Sequence, residues 1–207
     1  MIKLALQSII FGLAFFCVGC VSLLPETAPP KPRYHIEAVE LSSSGAPVEW
    51  SLIVDDPRST RVYDSIRIAV ATGPGKVEYY AGAEWADRAP RLFQTAVVQT
   101  FEDSGRILSV GDPNALPLAD ATLQIDLRKL EFNAANGARD VNVIAYVRLT
   151  NGKGRIFDAR KFSVTRTAAS DSADNVLTAF NEAFDAVIGD LSTWTLEAGE
   201  TALRSQS

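Results

Sequence analysis

Cysteine and histidine are nearly absent from this sequence of 207 residues, which has two cysteines and one histidine. Cys17 and Cys20 both lie at the end of the first apolar segment. We therefore expect the rest of the chain to form no disulfide and no thiolate metal site. The one histidine, His35, follows a proline-rich stretch, which disfavours a Ser-His-Asp or Cys-His catalytic site and excludes a zinc site made of histidine and cysteine.

Runs of basic residues are also missing. The chain has 20 lysines and arginines against 25 aspartates and glutamates, and its formal net charge is −5. Because a nucleic-acid site needs clustered cations that neutralise phosphates, we expect no nucleic-acid partner. Apolar residues, in contrast, make up 47% of the chain, which is ample for the core of one domain of this length.

The N-terminus has the pattern of a bacterial lipoprotein signal. Lys3 precedes an apolar segment whose core, residues 9–18, is shorter than the roughly 20 apolar residues that a membrane-spanning helix needs. Gly19 stands directly before Cys20, as a small residue does at a signal cleavage site. We predict a signal peptide over 1–19, and a diacylglyceryl group with a further acyl chain such as palmitate on Cys20. The alternative is a signal-anchor helix that is never cleaved.

The segment after Cys20 suggests where the protein resides. Four prolines between residues 25 and 32 are typical of an extended tether, and we assign residues 20–48 to the lipidated cysteine and its tether. Several acyl chains on one residue hold a protein at a membrane, whereas a single chain binds only marginally. Val21 follows the cysteine, where enterobacterial proteins retained at the inner membrane have aspartate. We therefore expect the periplasmic face of the outer membrane.

Residues 49–196 are predicted to form a single domain, followed by a flexible tail at 197–207. Alternating apolar residues predict strands, a slip in that alternation predicts a β-bulge near Lys129, and Asn151-Gly152 predicts a hairpin. Apolar residues at helical spacing predict one helix from Pro90 and another from about Ser172 to Trp194. We expect an α+β fold: a two-layer sandwich with a mainly antiparallel sheet and two helices packed on one face.

One segment, residues 79–111, resembles the signature of the ABC-type transport auxiliary lipoproteins. The residues that carry the resemblance are Tyr79, Tyr80, Trp85, Pro90, Leu92, Phe93, Gln94, Ser104, Gly105 and Arg106. The resemblance implies a non-catalytic lipoprotein of a Mce-type lipid transport system. Its implied partners are a permease, an ATPase and an MCE-domain (MlaD-type) substrate-binding protein. It implies no catalytic residues and no cofactor beyond the lipid on Cys20.

Five residues in or near this motif are candidates for a partner interface or for contact with membrane lipid: Tyr79, Tyr80, Trp85, Arg91 and Gln94. Aromatic side chains with polar groups suit half-hydrated surfaces. The alternatives are that the aromatic rings cover the edge of the core and that the two polar residues belong to a solvated helix face. Because Tyr79 and Tyr80 are adjacent in a strand, we expect their side chains to point to opposite faces.

Two functions remain open at this level. One is the transport auxiliary just described, and the other is a structural lipoprotein that stabilises an outer-membrane assembly without contacting lipid. A homo-oligomer is also considered, because a ring of copies would enclose a lipid conduit.

Overall fold

The computed structural model describes residues 30–41 and 45–205, so Cys20 and the predicted signal peptide lie outside the described residues. Strands β1 to β9 span Arg33–Tyr34, Val48–Val54, Arg58–Ser59, Arg67–Gly73, Lys76–Trp85, Ile107–Gly111, Ala121–Asn133, Asp140–Asn151 and Ile156–Thr167. Helix α1 spans Ala89–Ser104, helix α2 spans Ala173–Arg204, and a short 3-10 helix spans Ala135–Gly137. No helix among these residues is long and apolar enough to cross a membrane.

The long strand β7 organises the sheet. On one side it pairs antiparallel with β8 along nearly its whole length. On its other side it pairs in turn with β2, β3 and β4, all parallel to it. β6 extends the sheet beyond β2, while β5 and then β1 extend it beyond β4. Helices α1 and α2 pack against each other and against this sheet, which confirms an α+β fold.

The prediction of a mainly antiparallel sheet is wrong. Five strand pairings among the described residues are parallel and three are antiparallel. The antiparallel pairs are the hairpins, whose turns have local sequence signals. The parallel pairs join strands that are distant in the chain, such as Leu52 with Ala121, and no local pattern specifies them.

Two local predictions are confirmed. The register between β7 and β8 shifts between Leu127 and Lys129, as the slip in apolar alternation predicts. This bulge keeps Leu130 and Phe132 in the buried core after the shift. Asn151 begins the turn between β8 and β9, and its side-chain oxygen accepts hydrogen bonds from the backbone N–H groups of Lys153 and Arg155 at 3.0 and 2.9 Å.

Helix α2 continues past its predicted end at Trp194 as far as Arg204. Leu196 is buried, and Gly199 lies directly beneath the indole of Trp50, where any Cβ would collide with the ring. The helix therefore continues through most of the segment predicted to be a tail, and its packed face reaches at least Gly199. The small and polar residues around it hide that face from a periodicity argument.

The chain also joins the fold earlier than the predicted tether over 20–48 implies. β1 pairs with β5 in parallel, and Ile36 is buried in the core. The backbone N–H of Val39 donates to Oγ1 of Thr100 in α1 at 2.9 Å. Isolated apolar residues among prolines have no strand or helix period, so the sequence pattern does not reveal this docking.

Candidate functional site

Tyr79 and Tyr80 have separate environments in the first half of β5. The Arg67 guanidinium lies over the Tyr79 ring, 3.6 Å from its centroid. The Tyr80 hydroxyl donates to the carbonyl oxygen of Asp171, just before α2, at 2.6 Å. Partial burial, followed by the charges of Asp171 and Asp174, raises the pKa of Tyr80. Both rings are half-buried, so each keeps an edge available to a partner.

Trp85 is placed in the core. Its side chain is 1% exposed and packs edge-to-face against Phe180 and Phe184 of α2, with ring centroids 5.2 and 5.8 Å away. The indole therefore joins the end of β5 to the long helix and has no surface to offer a partner. Of the two interpretations that the sequence leaves open for this ring, the geometry favours the core.

Gln94 and Arg91 lie one turn apart on α1 and differ in burial and in hydrogen-bond partners. Gln94 is only 7% exposed, and its Nε2 donates to the backbone carbonyl of Val54 at the end of β2, at 2.9 Å. The Arg91 side chain is 75% exposed and approaches Asp87 at 3.5 Å. Gln94 therefore fixes α1 to β2, whereas Arg91 lies at the surface, where a partner can reach it.

Replacing Gln94 with leucine is expected to destabilise the chain by about 1–3 kcal/mol, because the carbonyl of Val54 would lose a buried donor. Thermal unfolding of the purified mature chain measures the effect. Gln99→Leu is the matched control, since Gln99 is exposed on the same helix and should change stability by less than about 0.5 kcal/mol. Equal effects of the two substitutions would contradict the bridging role of Gln94.

A groove runs between α1 and strand β6, and we call it the α1–β6 groove. Its volume is about 230 Å³. Its lining residues are Gln94, Thr95, Val98, Gln99, Glu102, Val110, Gly111, Asp112 and Ala115. The groove is therefore bounded by a row of side chains on one face of α1 and by the end of β6. The motif residue Gln94 lies at its floor, where its amide holds the two layers together.

Two larger grooves flank the C-terminal end of α2. One, of about 510 Å³, lies against the start of β9 and includes Ile156, Arg160 and Trp194. The other, of about 710 Å³, lies against the start of β2 and includes Glu49, Trp50 and Glu200. Sequence reasoning missed both, because they exist only where α2 extends beyond its predicted end.

The described part of the chain has no metal-type cluster of side chains, and its one buried carboxylate belongs to a hydrogen-bonded network. Residues 30–41 and 45–205 contain no group of three or more histidine, cysteine, aspartate or glutamate side chains placed to hold a metal ion. His35 is exposed. One buried carboxylate, Glu131, accepts hydrogen bonds from the Tyr63 hydroxyl at 2.5 Å and from Lys129 Nζ at 3.0 Å. This network fixes the loop before β4 to the bulged part of β7.

The Tyr63–Glu131 contact predicts a loss of stability at alkaline pH. Burial, and then the hydrogen bond and charge of Glu131, raise the pKa of Tyr63 well above its usual 10.0. A raised folded-state pKa contributes stability that is complete below the unfolded pKa of about 10 and is lost as pH rises above it. The free energy of unfolding should therefore fall progressively as the pH rises above about 10.

Tyr63→Phe should reduce this alkaline loss while costing about 1–3 kcal/mol near neutral pH, since Glu131 would lose a donor. Denaturant titrations at a series of pH values measure both effects. The pKa of Tyr80 is also raised, so Tyr80 adds to the alkaline loss of stability. It does so equally in the wild-type protein and in the variant, and its contribution therefore cancels when the two are compared. An identical alkaline slope with and without the Tyr63 hydroxyl would contradict the assignment.

Comparisons with known proteins agree with this architecture. A crystal structure of protein XCC0632 from Xanthomonas campestris superposes with a TM-score of 0.76 at 31% identity, covering 84% of this chain and 98% of that chain. The crystal structure of another uncharacterized protein gives a TM-score of 0.62 at 13% identity, covering 80% of this chain and 99% of that one, which shows a shared fold alone. An uncharacterized protein of Bradyrhizobium diazoefficiens is 24% identical over 151 residues, or 72% of this chain. The chain spans 40% of that relative's length.

A family model confirms the resemblance in the segment around α1. The model of the ABC-type transport auxiliary lipoprotein component matches residues 34–192. The match begins in β1 and extends into the second half of α2, so it includes α1, more than half of α2 and the whole sheet apart from the first residue of β1. This chain belongs to the family of ABC-type transport auxiliary lipoprotein components.

Proposed function

We propose that this chain is a lipid-anchored, non-catalytic auxiliary component of a Mce-type ABC transporter that moves lipids across the cell envelope. The observation that carries the proposal is the family match over residues 34–192, in a chain whose Cys20 follows a lipoprotein-type signal. The partners are the MCE-domain substrate-binding protein, the permease and the ATPase of the same system. The location is the periplasmic face of the outer membrane.

The early docking of the chain supports a role close to a membrane. β1 begins at Arg33, so the covalent path from Cys20 to the fold can extend to roughly 45 Å at most, at about 3.3–3.6 Å per residue. A lipid on Cys20 therefore confines the domain to a shell next to the bilayer. In that shell it can meet envelope proteins without leaving its anchor.

The filled core bears on whether the domain itself carries lipid. The space between the helices and the sheet is occupied by large, fully buried side chains, among them Trp85, Phe93, Phe101, Phe180 and Phe184. A lipid would have to lie in a surface groove rather than within this layer. The same packing favours a second candidate function, a structural lipoprotein that stabilises an outer-membrane assembly through protein contacts alone.

Purification of the affinity-tagged full chain from native membranes in mild detergent tests the proposal. We expect an MCE-domain protein, a permease and an ATPase to be enriched over the untagged strain, as identified by mass spectrometry. Lipid analysis of the same preparation separates the two candidates. Enrichment of the transporter components supports the auxiliary role. Enrichment of outer-membrane proteins alone, with neither transporter components nor lipid, would instead support the structural lipoprotein.

A further inference from the structure

Strands β6 and β9 lie at edges of the sheet but differ in the number of charged side chains they have. Among the described residues, β6 pairs only with β2 and β9 only with β8. β9 has four charged side chains along its length, whereas β6, with the sequence Ile-Leu-Ser-Val-Gly, has none. Charged residues on an edge strand discourage pairing with another chain. β9 is therefore protected against strand addition, and β6 is not.

The side chains of β6 also remain accessible. Leu108 is 68% exposed, and Val110 is half-buried in the α1–β6 groove. An apolar edge strand left open in a soluble domain is a site for association. The position of β6 beside a helix adds a second feature, because side chains of an added strand would project into the space in front of α1.

The residues of α1 that line the groove form a row that the side chains of an added strand can contact. Thr95, Val98, Gln99 and Glu102 lie at helical spacings of three, four and seven residues, which places them in one row along α1. The groove volume of about 230 Å³ is below the roughly 300–1,000 Å³ of small-molecule sites. It therefore suits a few side chains of an extended peptide better than a whole ligand. Strand addition between an edge strand and a helix is an established mode of peptide recognition.

The charges beside the groove indicate which residue type a bound peptide would contain. Glu102 is exposed at one end of the row, and no ion pair to it is formed within residues 30–41 and 45–205. Asp112, at the β6 side, accepts backbone hydrogen bonds from Asn114 and Ala115 at 2.7 and 2.9 Å. These bonds lower the pKa of Asp112. Arg91 lies close enough to offset part of the Asp112 charge, so Glu102 is the carboxylate left for a partner.

We propose that the α1–β6 groove binds an extended segment of a partner protein, which adds to β6 as a further strand. Its aliphatic or hydroxyl side chains face Val98 and Val110, and a lysine or arginine lies beside Glu102. The proposed function assigns the chain to an assembly, whereas this inference assigns the surface through which another protein is held. It rests on the proposed function only for the expectation that the partner resides in the cell envelope.

A photo-crosslinking residue at position 108 tests the proposal in the full, membrane-bound chain. Leu108 is exposed, so the substitution should leave the fold intact. The control has the same residue at Ser163, an exposed position on β9. We expect position 108 to crosslink an extended segment of another protein that includes a basic residue, as mapped by peptide mass spectrometry. Position 163 should give no such product.

Charge reversal provides the matched pair of variants. Glu102→Lys should lower the crosslinked yield at position 108 by about tenfold, a change that corresponds to about 1.4 kcal/mol. Asp103→Lys changes the net charge equally, but Asp103 is exposed and does not line the groove, so it should leave the yield unchanged. Melting temperatures of both variants verify that they fold.

Four results would overturn the inference: a product joining two copies of this chain, a product with lipid alone, no product above the Ser163 control, or equal effects of the two lysine variants. The identity of the copurified proteins decides the proposed function, and the position of the crosslink decides this inference. A transporter component crosslinked elsewhere would refute the groove while leaving the transporter role intact.

Discussion

Trp85→Ala is expected to destabilise the mature chain by about 3–5 kcal/mol, since it removes a fully buried indole from a well-packed core. Domains of this size have a total stability of about 5–15 kcal/mol, so the melting temperature should fall by roughly 10 °C or more. The loss is large because Trp85 packs against both Phe180 and Phe184. Its removal would weaken the contact between the end of β5 and the first half of α2. Thermal and denaturant unfolding of the purified protein measure the change.

Two further substitutions separate a core role of Trp85 from an interface role. Trp85→Phe keeps an aromatic ring in the cluster and should cost clearly less than the alanine substitution. Tyr79→Ala removes a half-buried ring on the same strand and should cost only about 1 kcal/mol or less, mostly by loss of the contact with Arg67. If Trp85→Ala left the melting temperature unchanged but abolished partner binding, the core assignment would be wrong.

The contrast between Trp85 and Arg91 shows what the sequence could and could not predict about the site. A motif identifies the segment, but burial depends on which face of β5 the long helix covers. Trp85 and Gln94 are both buried and act within the fold, whereas Arg91 is exposed. The α1–β6 groove could not be found from the sequence, because β6 becomes an open edge only through its parallel pairing with β2.

The fold, like the site, has features that the sequence predicts and features that it does not. Features determined by neighbouring residues were predictable: the bulge before Lys129 from the slipped alternation, and the β8–β9 hairpin from Asn151-Gly152. Features determined by distant residues were not. The pairing of Leu52 with Ala121 and the position of Trp50 over Gly199 join parts of the chain that share no local pattern. Parallel pairing and close helix–ring contact thus account for the errors in sheet type and in the end of α2.

Cys20→Ala is expected to have the largest effect on where the protein resides. Each buried methylene contributes about 0.8 kcal/mol to membrane binding, and the substitution removes the sulfur that would bear every acyl chain. We expect the outer-membrane share of the protein to fall by at least about tenfold, as measured by density-gradient fractionation. The N-terminal peptide of the wild-type protein should begin at residue 20 and have a mass that includes the diacylglyceryl and acyl groups.

Cys17→Ala is the matched control for this experiment, because it removes the other cysteine three positions away. If residues 1–19 are a cleaved signal, Cys17 is absent from the mature protein, and its substitution should change neither the mature mass nor the location. The signal-anchor alternative predicts the opposite pattern: an unmodified N-terminus that still includes residues 1–19, and a location insensitive to Cys20. That outcome would leave the fold and the α1–β6 groove unaffected, but it would refute lipid anchoring through Cys20 and with it the expected place of the domain at the outer membrane.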